Sequence, residues 1–552
     1  MSIQPDLDSN KTEMDDKEEM NEIGSALEAV INSVGGLGLY QKILFIAMMP
    51  FGIAWAFLYF CQMFVTATPD VHWCRVPELD SLSMEMRRSL VTPTTGNYDF
   101  DKCNTFDTNW TQVLESLRAP EAGTPTIPCP NGWEFQFEDI PYSTVVSERG
   151  WVCDRAYLVP WSQSISFVGS VIGGIVCGML ADKYGRLPAL VLANVFGIIG
   201  NVGTIFTTGF WDFSICRFIA GMSVDSCFLL IYILVLEYVG TRYRTWVSNL
   251  SIALFFGGGC VLLPWVALWI SDWKWIMFAT AVPSVLVFLT PFLVPESARW
   301  LISKGRVDKA VTVLKRFEKM NGNKIPDNVM EKFVTIAKTR IEKEEGISLI
   351  FKTPSLRIMV VFLIIAFMAV AVMFDGIIRM SENLGMDFFV TFAVTSATEI
   401  PSIIVLLFLL DRLGRRWLVF APMMAAGILC LVTAFVPRGI ISVSLAVTAR
   451  FFNNMSYVSI IQWTPELMPT AVRASGASFV HITAFAAVIV SPFIVYSDNL
   501  WEGLSLIIVG VVGLAGASLA LFLPETKGQR MPQTLDDWKE LAKKKFYVRN
   551  TS

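Results

Sequence analysis

Three short motifs occur twice in this chain, and each pair is separated by the same 229 residues. Asp182-Lys-Tyr-Gly-Arg186 returns as Asp411-Arg-Leu-Gly-Arg415, Glu237 as Glu466 at the end of a long apolar run, and Pro295-Glu296-Ser297 as Pro524-Glu525-Thr526. Each copy closes a hydrophobic segment, and the second set falls six segments after the first. The chain is therefore two like halves, and internal repetition of this kind marks membrane carriers whose halves rock around a central site.

A chain of 552 residues that is 53% hydrophobic and 17% charged is far more apolar than a soluble domain and belongs in a bilayer. A spanning helix needs about 20 mostly apolar residues. Such runs fall roughly at 43–65, 158–180, 188–209, 214–236, 246–270 and 275–294, then at 357–379, 388–410, 417–437, 440–463, 474–496 and 501–523. The predicted fold class is an all-α membrane protein of twelve spans in two six-helix halves, with both termini on one side. Basic residues in short loops resist translocation. Loops after the even spans carry Lys183, Arg186, Arg242, Arg244, Arg412, Arg415, Arg416 and Arg473, whereas the opposite short loops offer Lys274, Arg379 and Arg438. Both tails, 1–40 and 524–552, are thus expected in the cytosol. The first forty residues are polar and acidic, so no cleavable signal peptide is expected.

Two loops are large enough to be small structures. Residues 66–156, between the first span (41–65) and spans two to six (157–294), contain Cys74, Cys103, Cys129 and Cys153, with Cys61 near the end of span one. In an oxidising exterior an even set favours disulfides. Four cysteines allow three pairings and Cys61 could displace one of them, so connectivity stays open. The same loop holds the sequon Asn109-Trp-Thr, an expected glycosylation site. Residues 295–356, before the second six spans (357–523), are rich in Lys and Glu. Val311, Leu314, Phe317, Val334, Ile336 and Ile341 suggest two or three amphipathic helices under the membrane domain.

Several functions are disfavoured. No phosphate-binding GxxxxGK[ST] loop occurs, so an ATP-driven pump has no motor here. No nucleophile, base and orienter set suggests an enzyme. With His72 and His481 as the two histidines, no Cys/His metal site or other cofactor is expected, nor is nucleic-acid binding. Gly169, Gly173, Gly174 and Gly178 in span two read as small residues for close helix packing.

The stretch Val152-Cys-Asp-Arg-Ala-Tyr-Leu-Val-Pro-Trp161, its continuation to Asp182-Lys-Tyr-Gly-Arg186, Pro295-Glu-Ser-Ala-Arg-Trp-Leu301, Glu466-Leu-Met-Pro-Thr-Ala-Val-Arg473 and Leu523-Pro-Glu-Thr-Lys-Gly528 closely resemble the organic cation, anion and zwitterion transporters of the major facilitator superfamily. The resemblance runs over essentially the whole chain after residue 40. It implies a plasma-membrane transporter working by alternating access, with a site shared between the two halves.

The repeated motifs also have a physical reading of their own. Asp182 ends a helix, and Arg186 follows the Gly185 turn, so the basic side chain can reach carboxylates and helix-terminal carbonyls of a neighbouring span. Asp411, Arg412, Arg415 and Arg416 repeat this, with Glu237, Arg242, Glu296, Arg299, Glu466, Arg473 and Glu525 as partners. The expectation is a latch on the cytoplasmic side; the bland alternative is a set of orientation charges, which would need only bases.

Substrate chemistry must come from polar groups deep in the spans, where unpaired charge is costly. Asp225 lies mid-span four, Asp375 in the outer half of span seven, and Glu399 mid-span eight before Pro401, matching an acid the family carries before this proline. Each could meet an amine, pair with Arg217, Arg379 or Arg450, or remain protonated, although these bases read as lying toward span ends. Phe228, Phe255, Phe367, Phe374 and Tyr457 could hold an ammonium by cation-π attraction. Two positions depart from the family pattern. Phe485 stands where cation carriers place an aspartate and many anion or zwitterion carriers an arginine, and Asp225 stands where cation carriers commonly have lysine. The favoured expectation is transport of a small organic cation or amine-bearing zwitterion. An organic anion carrier, or a non-transporting receptor on the same fold, is the alternative. Oligomeric state is not readable.

Overall fold

The computed structural model describes residues 24–95, 99–121, 123–338, 353–469, 472–529 and 532. Ten of its helical stretches are long and apolar enough to cross a membrane: Leu39–Val65, Cys153–Tyr184, Arg186–Ile205, Phe210–Glu237, Thr241–Ile270, Trp273–Leu293, Leu356–Glu382, Phe388–Leu410, Arg415–Ala434 and Ser475–Asn499. Ile440–Glu466 is 27 residues long but diluted by Arg450, Asn453 and Asn454, and Leu504–Ala520 is strongly apolar at 17 residues. Together they are the twelve expected spans, numbered 1 to 12 in this chain order apart from Ile440–Glu466, which is span 10, so that Ser475–Asn499 is span 11 and Leu504–Ala520 span 12. Outward-facing Phe206, Trp269, Phe292 and Phe435 are among the large apolar side chains the protein leaves uncovered, a belt suited to lipid.

Close helix approach rests on small residues, since lipid gives apolar side chains no reason to prefer each other. A Cβ added to Gly169 or Gly173 of span 2 would lie 2.2 Å from the Phe218 carbonyl oxygen or 2.1 Å from that of Met222 in span 4. Gly174 and Gly178, expected to share this role, do not: Gly178 meets nothing within 4 Å.

The 66–156 insertion caps one end of the bundle. It carries three two-stranded antiparallel sheets, pairing His72–Cys74 with Trp133–Phe135, Thr94–Thr95 with Asp99–Phe100, and Asn104–Phe106 with Thr126–Pro128. Disulfides join Cys74 to Cys129 and Cys103 to Cys153, while Cys61 is free and buried in span 1, which removes it from the candidate set. Arg149 ties the insertion to the first half, donating to the carbonyls of Gly209 at 2.6 Å and Thr207 at 2.7 Å. Asn109 is exposed and caps the helix Trp110–Ser116. Glycosidase treatment of protein expressed in cells is expected to lower its apparent mass, and Asn109→Gln to abolish that shift; an unshifted band would invert the expected topology.

At the opposite end lie the repeated motifs and the helices Ala298–Ser303, Val307–Asn321 and Asp327–Lys338. Leu314 and Phe317 are buried, and Val311, Val334 and Ile336 half-buried, as their spacing suggested; Ile341 lies outside the described residues. Residues 1–40 are not simply a tail. A helix over 24–33 buries Leu27, Val30 and Ile31, and Asn321 donates from Nδ2 to the Val34 carbonyl at 2.9 Å. The acids that precede it mask the apolar spacing of this segment in the sequence.

Candidate functional site

Four spans lose regular α-helix near their middle, span 11 at Ile489–Val490 among them. Span 4 is interrupted between Phe210–Gly221 and Ser226–Glu237, span 8 between Phe388–Ala397 and Glu399–Leu413, and span 5 winds as a π-helix over Ile252–Gly257. Such breaks free backbone groups and are tolerated at membrane depth where protein or a cavity satisfies them. Asp225 and Glu399 sit at the first two breaks. Spans 5 and 8 touch there across the halves: a Cβ on Gly257 would lie 3.0 Å from that of Glu399.

The three membrane acids are not alike. Asp375 and Arg379, one turn apart on span 7, form a buried pair at 2.5 Å. Arg379 Nη1 also donates across the halves to Gln163 Oε1 at 2.9 Å, and its guanidinium lies 5.2 Å from the Phe167 ring centre. Glu399 accepts from Arg450 Nη2 of span 10 at 2.9 Å, and the Arg450 guanidinium stands 3.5 Å over the Phe374 ring while donating to the Phe374 carbonyl. Both bases therefore lie beside their acids: Arg450 is mid-span, which corrects the expectation that it sits toward a span end, whereas Arg379 closes the helix Pro354–Arg379 as expected and still pairs with Asp375. Arg217 is buried among neutral acceptors, Asn201 Oδ1 at 2.5 Å, Thr204 Oγ1 at 3.2 Å and Cys61 Sγ at 3.7 Å.

Asp225 differs from both. It accepts from Ser170 Oγ at 3.0 Å and has no cationic partner among the described residues. The 229-residue repeat explains why. Shifting by that interval carries Glu399 onto Ser170, Asn454 onto Asp225 and Arg450 onto Gly221. The second half neutralises its acid with Arg450. In the first half that place is glycine, where a Cβ would lie 2.0 Å from the Ser166 carbonyl oxygen, so no longer side chain fits.

Aromatic rings close a circuit around this centre. Tyr59 contacts Phe60 at 4.5 Å, Phe60 meets Phe256 at 6.3 Å, Phe256 meets Phe374 at 6.5 Å, and Phe374 stacks on Tyr457 at 4.6 Å. Tyr457 meets Phe367 at 5.9 Å, Phe367 meets His481 at 5.7 Å, His481 stacks on Phe485 at 5.1 Å, and Phe485 returns to Tyr59 at 6.4 Å. Tyr59 also meets Phe167 at 5.5 Å, one turn before Ser170, the donor to Asp225. Of the aromatic candidates, Phe367, Phe374 and Tyr457 are in the circuit. Phe228 adjoins it through Trp55 at 5.4 Å, and Trp55 meets Phe256 at 4.2 Å. Phe255 instead packs on Phe45 at 4.9 Å and against Gly52. The π-helical turn lets neighbouring Phe256 take the inward position, a shift that a 3.6-residue period does not reveal. Tyr59, Phe60, Phe256, His481 and Phe485 were missed as ring members, although the run Phe57-Leu-Tyr-Phe60 was a visible signal.

The repeated motifs form two matching clusters, each within its own half. Gly185 (φ 113°) and Gly414 (φ 87°) turn the chain into spans 3 and 9. There Glu296 accepts from the backbone N–H groups of Arg186 and Leu187 at 3.0 and 3.1 Å, and Glu525 from those of Arg415 and Arg416 at the same distances. These carboxylates cap helix N-termini. Ser297 Oγ donates to Glu237, and Thr526 Oγ1 to Glu466 at 2.6 Å. The halves then diverge: Arg186 pairs with exposed Asp182 at 3.0 Å, whereas Arg415 reaches Glu466 at 3.1 Å. Arg299 instead approaches Glu28 at 4.0 Å, Arg242 lies over Tyr243, Arg412 offers its carbonyl to Lys527, and Arg473 donates to the Pro532 carbonyl at 3.1 Å. The Asp411 side chain lies outside the described residues. Arg415→Ala should lower turnover per surface molecule more than Arg186→Ala, because it strands a half-buried partner at a cost of about 1–3 kcal/mol while the exposed pair is worth under about 1 kcal/mol. Equal losses measured as uptake normalised to surface protein would refute this asymmetry.

Twelve spans in two repeated halves, with broken helices meeting at a charged, aromatic-lined centre, define a polytopic membrane transporter. Comparisons with known proteins agree. The family described as sugar (and other) transporter matches residues 134–538. The carcinine transporter of Drosophila melanogaster is 30% identical over 94% of this chain and 79% of its own length. Solute carrier family 22 member 3 of Rattus norvegicus is 30% identical over 94% and 97%, and the organic cation transporter protein of Drosophila melanogaster 30% over 93% and 95%. Among solved structures, the proton:xylose symporter XylE superposes with a TM-score of 0.57 at 17% identity, covering 91% of this chain and 99% of that one, a likeness of fold alone. The chain belongs to the sugar (and other) transporter family of the major facilitator superfamily, in its organic cation, anion and zwitterion branch. Among the described residues, no group of three or more His, Cys, Asp and Glu could hold a metal ion.

Proposed function

We propose that this protein moves small organic cations or amine-bearing zwitterions across the plasma membrane by alternating access, with Asp225 as the counter-ion for the substrate ammonium. The observation carrying this reading is that Asp375 and Glu399 each hold an arginine while Asp225 holds none among the described residues. An isolated carboxylate at membrane depth is expensive and calls for a partner. A ligand ammonium would supply the charge that Arg450 supplies in the other half, beside rings suited to cation-π contact. The names of the relatives, carriers of carcinine, organic cations and, in another Drosophila melanogaster protein 29% identical to this chain, beta-alanine, support an amine.

With the basic short loops in the cytosol, the disulfide-bonded insertion is extracellular and the repeated motifs cytoplasmic. Toward the insertion the halves are joined by Arg379 to Gln163, by Ser164 Oγ to the Ile489 carbonyl at 2.6 Å, and by the Thr68 N–H to Glu382 at 3.2 Å. Toward the motifs, Gln462 Nε2 donates to Asn249 Oδ1 at 2.8 Å. This distribution supports a state closed to the outside, and the contacts around Arg379 as those that part on outward opening.

Uptake of labelled cation, zwitterion and anion panels into expressing cells tests the reading. Moving one charge through 100 mV is worth about 2.3 kcal/mol, so cation uptake should fall when the membrane is depolarised. Uptake confined to anions would replace this reading with one centred on Arg217, Arg379 and Arg450.

A further inference from the structure

We propose that His481 is a second pole of the substrate site, making the transporter select amines that carry a hydrogen-bonding group at the end remote from the ammonium. This rests on the reading of Asp225 as the ammonium's counter-ion. His481 lies on span 11, in the half opposite to Asp225, and its ring is fixed edge-on to Phe367 and stacked on Phe485. The residue is half-buried, and neither ring nitrogen has a hydrogen-bond partner among the described residues.

A purely apolar circuit would serve a greasy cation better, because a polar ring left without partners inside a membrane protein is unfavourable. Imidazole offers one donor and one acceptor, so it can answer a hydroxyl, an amide or another azole. From Ser170, which donates to Asp225, the contacts run one turn back along span 2 to Phe167, then to Tyr59, Phe485 and His481, crossing from the first half to the second. A substrate that reaches both ends, with a flat body against the rings between, is gripped by both halves at once. Binding energy then depends on both poles, and a ligand lacking the remote polar group leaves His481 unanswered. Sites built to hydrogen-bond a substrate group reject analogues without it more strongly than apolar pockets reject an added group.

Tyramine and phenethylamine differ by one hydroxyl and test this directly. In cells expressing the intact chain, tyramine is expected to show a KM lower by roughly tenfold, the upper scale of one hydrogen bond gained. His481→Phe, which keeps a flat ring in the stack, should collapse the ratio of the two KM values, and His481→Gln, which keeps a donor and an acceptor, should preserve most of it. Equal KM values in the unmodified protein, or a ratio that survives His481→Phe, would overturn the proposal. The parent reading fails differently. If neither amine enters cells that take up an anion, the counter-ion role of Asp225 goes and His481 goes with it; if both amines enter equally well and Asp225→Asn weakens both, only the role of His481 is lost.

Discussion

Asp225→Asn is expected to raise the half-saturating concentration for organic cations by about 10- to 100-fold while leaving the protein at the cell surface. A charged hydrogen bond to a ligand is worth about 1.5–3 kcal/mol, and each 1.4 kcal/mol is tenfold in affinity. Stability should change little. Ser170 Oγ can donate to the amide oxygen as it does to the carboxylate, and no basic side chain among the described residues is left without its partner. Asp375→Asn and Glu399→Gln should behave in the opposite way, each leaving a buried guanidinium short of its anion and lowering surface abundance first. Cation uptake that is normal in Asp225→Asn, measured against surface-biotinylated protein, would remove this residue from the substrate site.

The contrast among these acids marks the limit of what the sequence makes legible. Spans, halves and the repeated motifs follow from apolar run length and from exact recurrence, both properties of the chain itself. That Asp225, Asp375 and Glu399 are unusual also follows, because charge inside an apolar run is rare for a stated energetic reason. Which acid is free does not follow. Asp375 and Arg379 stand four residues apart, a spacing that helix geometry makes a pair, yet Arg379 at the end of an apolar run reads equally well as a boundary charge. Arg450 lies 51 residues from Glu399, and only the packing of span 10 against span 8 joins them. The same holds for the aromatic circuit. Phe367, Phe374 and Tyr457 were accessible as apolar-span aromatics, but the choice of Phe256 over Phe255 depends on a π-helical turn. His481 and Phe485 gain meaning from their neighbours on spans 1 and 7. The helix over 24–33 was hidden for a different reason: the acidic stretch before it outweighed Ala26, Leu27, Val30 and Ile31, all buried in the fold.

Arg450→Met should nearly abolish surface expression, and the double substitution Arg450→Met with Glu399→Gln should recover much of it. Arg450 is 1% and Glu399 5% exposed at the side chain, so the pair is sealed from water. Removing one member of such a pair costs about 3–5 kcal/mol because the other charge stays buried alone, whereas replacing both by neutral groups of similar volume is often neutral or stabilising. The double variant therefore gives a coupling energy as well as a rescue. Recovery will be incomplete, because the Arg450 guanidinium also lies against Phe374 and bonds its carbonyl, contacts that methionine replaces in shape but not in charge. A double variant no more abundant than Arg450→Met would mean that these contacts, and not the neutralisation of Glu399, are what the second half requires of Arg450. The comparison of the halves would then lose its force, since the glycine at 221 would no longer stand for a missing counter-charge at Asp225.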